Sequence, residues 1–212
     1  MSDPLSALLA AAADGRYPPP DGGVTIVPPP AARDAGVIAF TAHAVIFTDA
    51  EPGWVRGQLP AGDLAAPLTP GFLQALCQRT GRFAHSIDML CVAGPLPGPP
   101  PAGLVPHDDP AHPRIARALR YRDDVRVWRA DGGVVVLGRG VAGRWEASIE
   151  VDAGRRGGGL GRQLAAEARR LVPGRAPVWA QIAPGNAASV RAFLAAGYVP
   201  VGAEALLTRS RQ

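Results

Sequence analysis

The 212-residue chain is 47% hydrophobic, carries 22 basic against 18 acidic residues, and has a net charge of +4. That is globular composition, enough for one large domain or two small lobes, and it excludes a disordered chain. No run approaches the roughly 18 apolar residues of a membrane span, and the N-terminus lacks the basic start of a signal peptide, so a cytoplasmic protein is expected.

All basic residues are arginine. Residues 1–100 hold 5 Arg against 8 acidic groups, a net of −3, and residues 101–212 hold 17 against 10, a net of +7. A basic second half suits a polyanionic ligand. Cys77 and Cys91 lie in apolar surroundings without a CxxC pair and read as buried thiols.

Prolines punctuate the chain at 18–20, 28–30 and 95–101. The last run, where the charge changes sign, marks a boundary between lobes 1–105 and 106–212. In the first lobe, Val37–Asp49 reads as strand material continuing towards Trp54 and Val55. Pro70–Arg82 reads as a helix with Phe72, Leu73, Leu76 and Cys77 on one face, and Ile87–Ala93 as a buried strand.

In the second lobe a helix is expected from Pro113 to Arg122. Val125–Ala130 and Val134–Gly138 read as a hairpin across Asp131-Gly132-Gly133, followed by a strand at Trp145–Val151. Leu160–Leu171 has helical apolar spacing, with Arg162, Glu167, Arg169 and Arg170 off the apolar face. Val178–Ile182 reads as a buried strand. Asn186 caps a last helix closed by Gly197, and strands follow at Tyr198–Val201 and Glu204–Thr208.

Arg156-Gly157-Gly158-Gly159-Leu160-Gly161 stands between a strand and an amphipathic helix. Glycines there leave backbone amides open, and the helix start adds unpaired donors and a positive dipole end, which together cradle a pyrophosphate. A P-loop is excluded because the chain has no lysine. Gly138–Gly143 matches GxGxxG by letter, but strand-like residues follow it rather than a helix, so it reads as a loop.

The glycine run resembles the first signature of the GNAT N-acetyltransferases. The segment Asn186-Ala187-Ala188-Ser189 through Gly197-Tyr198 resembles their second, at the right spacing. The resemblance covers about residues 107–208. It implies an α/β (α+β) GNAT fold, a mixed central sheet flanked by helices, with an N-terminal lobe that is either a degenerate copy or part of one elaborated domain. It further implies acetyl transfer from acetyl-CoA to a small-molecule or peptide amine by direct attack in a ternary complex. The backbone of Ile149, Glu150 and Val151 would hold the pantetheine arm, and the amides from Arg156 through Arg162 the pyrophosphate. Asn186 and Ser189 would lie near the thioester.

Phe193 stands where the family often has a tyrosine that protonates the leaving thiolate, and a phenyl ring donates no proton. Tyr198, Ser189 or water would then serve, or the thiolate would leave unassisted. Glu146 and Glu150, on one face of their strand with Ser148 between them, are the candidate general bases, with His112 third. His107, His112, Asp108 and Asp109 lack a metal-site pattern, so no metal is expected. Trp128 and Trp145 lie in strand patterns, and no nucleic-acid partner is expected. Asp49, Glu51, Asp63 and Asp88 favour a cationic acceptor, and the reading leaves room for a homodimer. A CoA-binding sensor without turnover is the alternative.

Overall fold

The computed structural model describes residues 3–100 and 102–209. The chain divides into two compact units. One runs from the N-terminal residues to Leu90 and is rejoined by the segment from Val201; the other is Cys91–Pro200. This cut differs from a boundary at 105/106, because the last strand of the chain pairs with an early one instead of closing the second half.

The first unit contains α1 (Pro4–Ala13), β1 (Val24–Val27), β2 (Gly36–Phe40), β3 (His43–Phe47), α2 (Pro52–Gly57) and α3 (Pro70–Thr80). It also holds most of β4 (Phe83–Ala93) and, near the end of the chain, most of β10 (Val199–Thr208). Its strand order is β1-β3-β2-β10-β4, with β1 and β3 parallel and β2 antiparallel to both β3 and β10. Val37, Ile46, Ala205 and Leu207 form its core with Phe72, Leu73 and Leu76 of α3 and Val55 of α2.

α1 and β1 escape the sequence reading, since a short alanine-rich run and a four-residue strand show little periodicity. The segment around Trp54 is helical rather than extended: the Glu51 carboxylate accepts from the amides of Gly53 and Trp54 and Pro52 occupies the first turn, which together start a helix. The two expected final strands are one continuous strand. Cys91 is buried, and burial pushes its thiol up to about 11; Cys77 is half-buried rather than fully enclosed.

The second unit contains β5 (Val105–Pro106), α4 (Pro113–Tyr121), β6 (Asp123–Ala130), β7 (Gly133–Arg139), β8 (Trp145–Val151), α5 (Leu160–Leu171), β9 (Val178–Ile182) and α6 (Ala187–Ala195). The order is β9-β8-β7-β6-β5, antiparallel except for the parallel pair β8–β9. Ile115 and Ala118 of α4 pack on Val134 and Val136 of β7. By strand alternation Val135, Ile149 and Val151 point to the opposite face, where α5 lies. The molecule is thus mixed α/β, with a mixed sheet flanked by helices. Gly138–Gly143 is the end of β7 and a single 3₁₀ turn leading into β8, a loop as its context requires.

Candidate active site

β8 and β9 share register only at their starts, where Trp145 pairs with Val178 and Glu146 with Trp179. β8 continues to Val151 and β9 to Ile182, so the two strands part company over Ala147–Val151. The edge of β8 turned away from β7 is therefore open to an extended ligand along Ile149, Glu150 and Val151.

Just past this opening the chain makes a 3₁₀ turn at Ala153–Arg155 and reaches the glycine loop. Arg156 Nε donates to the Val151 carbonyl at 3.2 Å and folds the loop back onto the strand end. Gly157 and Gly159 have φ of 85° and 84°, the left-handed region that disfavours side chains. Gly159 is the N-cap of α5, and no side chain caps it. The first amides of α5 have no intrahelical acceptor, and space around Gly157, Gly158 and Gly159 is open for 4 Å beyond any Cβ position. A depression of about 530 Å³ lined by Gly158, Gly159, Arg162, Gln163, Ala166 and, at its far end, Glu167 extends from there along α5. The donor set and the open cradle fit a pyrophosphate.

Gly161 has another role. A Cβ there would lie 3.6 Å from Ala192 of α6, 3.6 Å from Val151 and 3.8 Å from Ile149. It is the point where β8, α5 and α6 meet, with room for a methyl in ordinary contact but not for a larger side chain. At the start of α6 the Asn186 side-chain oxygen accepts from the Ser189 amide at 3.1 Å, so Asn186 serves the helix cap there. Leu160 is half-buried and Arg162 exposed.

The candidate catalytic groups have different surroundings. Glu150 is partly exposed and lies 3.3 Å from Arg114 Nε of α4. Glu146 is 3% exposed and clamped between Arg122 at 3.0 Å and Arg144 at 2.9 Å. Burial alone would raise its pKa, but Arg144 and Arg122 outweigh that and hold it below the usual carboxylate value. A Cβ on Gly140 would run into this carboxylate, which is why that turn takes glycine. Glu146 is thus an enclosed ion-pair anchor, and the same strand face separates it from Glu150 by Ser148, whose hydroxyl accepts from Arg122 at 3.2 Å.

Tyr198 is also enclosed. It is 2% exposed, its ring meets Phe193 edge-on at 4.8 Å between centroids, and its hydroxyl donates to the Ala165 carbonyl of α5 at 3.3 Å. Burial pushes its phenol well above the ordinary value. That environment suits a packing residue rather than a substitute for the proton-donating tyrosine that Phe193 replaces. His112 caps α4, its Nδ1 accepting from the Arg114 amide at 3.2 Å.

Two further expectations change. Glu167 is buried, with Arg170 Nη1 2.7 Å away; residues 94–97 bind its helix neighbours, the Leu96 amide donating to the Arg169 carbonyl and Arg170 Nε to that of Pro97. Glu51 and Asp63 are spent on local backbone caps, Asp63 accepting from the Ala65 amide, which weakens the case that they attract a cationic acceptor. Among the described residues no group of three or more His, Cys, Asp or Glu is placed to hold a metal. Arg114, Arg122 and Arg144 carry the electrostatics of this face. The uniform arginine usage hides them, and only their distance from Glu146 and Glu150 in the fold singles them out.

The solved structures that resemble the chain include three acetyltransferases. A GCN5-related N-acetyltransferase from Kribbella flavida is 20% identical, with a TM-score of 0.44 over 68% of this chain and 65% of that one. An acetyltransferase of the GNAT family from Novosphingobium aromaticivorans is 19% identical, with a TM-score of 0.41 over 62% and 69%. A GCN5-related N-acetyltransferase from Sphaerobacter thermophilus is 15% identical, with a TM-score of 0.40 over 64% and 55%. The chain thus spans less than two thirds of the Kribbella and Sphaerobacter proteins. No protein-family profile and no curated protein sequence matches it.

Proposed function

We propose that this chain is an acyl-CoA-dependent N-acyltransferase of the GNAT type, moving an acetyl or other short acyl group to an amine. The observation that carries the reading is the parting of β8 from β9 beside the uncapped, glycine-led start of α5. One gap takes an extended arm, the adjoining amides take a pyrophosphate, and both signatures seen in the sequence fall there.

Acyl-CoA supplies a thioester carbon open to attack. Backbone groups of Ile149, Glu150 and Val151 would align the arm, and amides from Arg156 to Arg162 would hold the phosphates. Asn186 and Ser189 flank the far side at the start of α6. Glu150, partly exposed at the end of β8, would take the proton of the attacking amine. A thiol with a pKa of about 8.5 leaves as thiolate near neutral pH without a dedicated acid, consistent with Phe193 at the usual tyrosine position. Acceptance by a small-molecule or peptide amine, and a cytoplasmic setting, complete the reading. No helix among the described residues is long and apolar enough to cross a membrane.

The test is thermal denaturation with acetyl-CoA, NAD or ATP, followed by free-thiol release with a panel of amines. Acetyl-CoA should raise the melting temperature most, by mass action on the folded state. An unmoved melting temperature at saturating acetyl-CoA would rule the reading out. Binding without thiol release from any amine would favour the CoA-binding sensor, a reading supported by the enclosure of the Tyr198 hydroxyl.

A further inference from the structure

We propose that Asp21, His43 and Thr25 form a second reactive centre, in which Thr25 Oγ1 accepts an acyl group from an activated ester. The three side chains lie within the first unit and come from the segment before β1, from β3 and from β1. Asp21 Oδ1 lies 2.8 Å from His43 Nδ1, and His43 Nε2 lies 2.9 Å from Thr25 Oγ1.

The chain builds this line from local geometry. The Asp21 carboxylate accepts from the Gly23 amide at 2.7 Å, an Asx turn that fixes it at the entrance to β1. β1 runs parallel to β3, with Val24 opposite Ala44 and Thr25 opposite Val45. Alternation puts the side chains of His43, Val45 and Thr25 on one face of the sheet. The His43 side chain is 7% exposed and that of Asp21 52%, so the imidazole is shielded while the carboxylate keeps contact with solvent.

Direction follows from donor chemistry. The hydrogen bond from His43, then that from Gly23, holds Asp21 below its ordinary pKa, so it is ionised and only accepts. In the neutral imidazole His43 then carries its proton on Nδ1 and presents the Nε2 lone pair to the Thr25 hydroxyl. A carboxylate orients an imidazole, and the imidazole accepts from a hydroxyl, the order in which an oxygen nucleophile is activated.

An oxyanion donor is adjacent. The Gly23 carbonyl accepts from the Ala44 amide of β3 and the Val27 carbonyl from the Thr48 amide just beyond it, so peptide groups 23, 25 and 27 face β3. Those of Val24 and Ile26 face the other way, and β1 is the outermost strand. The Ile26 N–H, immediately after the nucleophile, points to that outer side.

In the reaction the Thr25 Oγ1–acyl carbon bond forms and the ester C–O bond breaks. The hydroxyl proton passes to His43 Nε2 and then to the leaving oxygen. Water reverses the same steps to release the acid. The substrate class is an activated acyl ester, and neither metal nor oxidant is required. This centre is independent of the acyl-CoA reading.

The full chain is incubated with p-nitrophenyl acetate, following p-nitrophenolate release and mapping acetylated peptides by mass spectrometry. One acetyl group on Thr25 is expected, absent in Thr25→Val and formed about 10²-fold more slowly in His43→Gln. Asp21→Asn, at a half-exposed position, should slow it while leaving the melting temperature near that of the parent. If the Thr25 and His43 variants fail to fold, the mapped adduct and the Asp21 variant decide. Acetylation confined to other residues, or an unchanged rate in Asp21→Asn or a folded His43→Gln, overturns the proposal in favour of a hydrogen-bonded clasp on β1.

Discussion

The hydroxyl of Tyr198 donates to the main-chain carbonyl of Ala165, tying the start of the last strand to the middle of α5. A carbonyl inside a helix already accepts a helical bond, so this is a second, side-chain bond in a dry setting. Tyr198→Phe should cost about 0.5–1.5 kcal/mol, a buried hydrogen bond. Chemical denaturation measures it. The rate of thiol release under folding conditions should not change; a large fall in rate with intact stability would return Tyr198 to the chemistry.

Glu146 should matter for folding more than for turnover. Glu146→Gln leaves Arg122 and Arg144 facing a neutral group, and breaking a buried pair costs about 3–5 kcal/mol. Its folded pKa lies below the ordinary 4.5, so its contribution is present above that value and is lost as pH falls through the folded pKa. Denaturation curves across this acidic window should be steeper in pH for the parent than for Glu146→Gln. Equal slopes would mean that the carboxylate is not held charged by the two arginines.

Much of the second unit is legible because its signals are local. Asp131-Gly132-Gly133 marks a hairpin, Leu164 and Ala168 mark the buried side of α5, and the glycines before Leu160 mark a helix start without a side-chain cap. What escapes the sequence depends on partners distant along the chain. Arg144 stands two residues from Glu146, but the partners that complete the enclosure of Glu146 and Tyr198, Arg122 and Ala165, are 24 and 33 residues away. The return of β10 to β2 is equally non-local, and so is the meeting of His43 with Asp21 and Thr25. Glu167 reads as surface because it falls among the charged positions of α5, and nothing local marks its burial beside Arg170.

Gly158 and Gly161 should separate ligand effects from packing effects. Gly158 has open space and no positive φ, so Gly158→Val should change stability by no more than about 0.5 kcal/mol. A side chain there would stand among the amides proposed for the phosphates, and the acetyl-CoA-induced rise in melting temperature should disappear. At Gly161 a single methyl fits against Ala192, Val151 and Ile149. Valine would overpack the junction and should cost about 1–3 kcal/mol before any ligand is added. Melting curves with and without acetyl-CoA distinguish the two, and an undiminished ligand shift in Gly158→Val would move the phosphates elsewhere.

Glu150→Gln isolates the proposed base. The Glu150–Arg114 pair is partly exposed on both sides, and such pairs contribute about 0–1 kcal/mol, so the variant should fold like the parent. The amide keeps the shape of the carboxylate but cannot take a proton. Because only backbone atoms of Glu150 are assigned to the acyl donor, the acetyl-CoA shift in melting temperature should persist while thiol release falls about 10²-fold. Raising the pH should narrow the gap, since a growing fraction of the amine then arrives already deprotonated and needs no base. A variant as fast as the parent at every pH would assign deprotonation to solvent and leave Glu150 as the partner of Arg114.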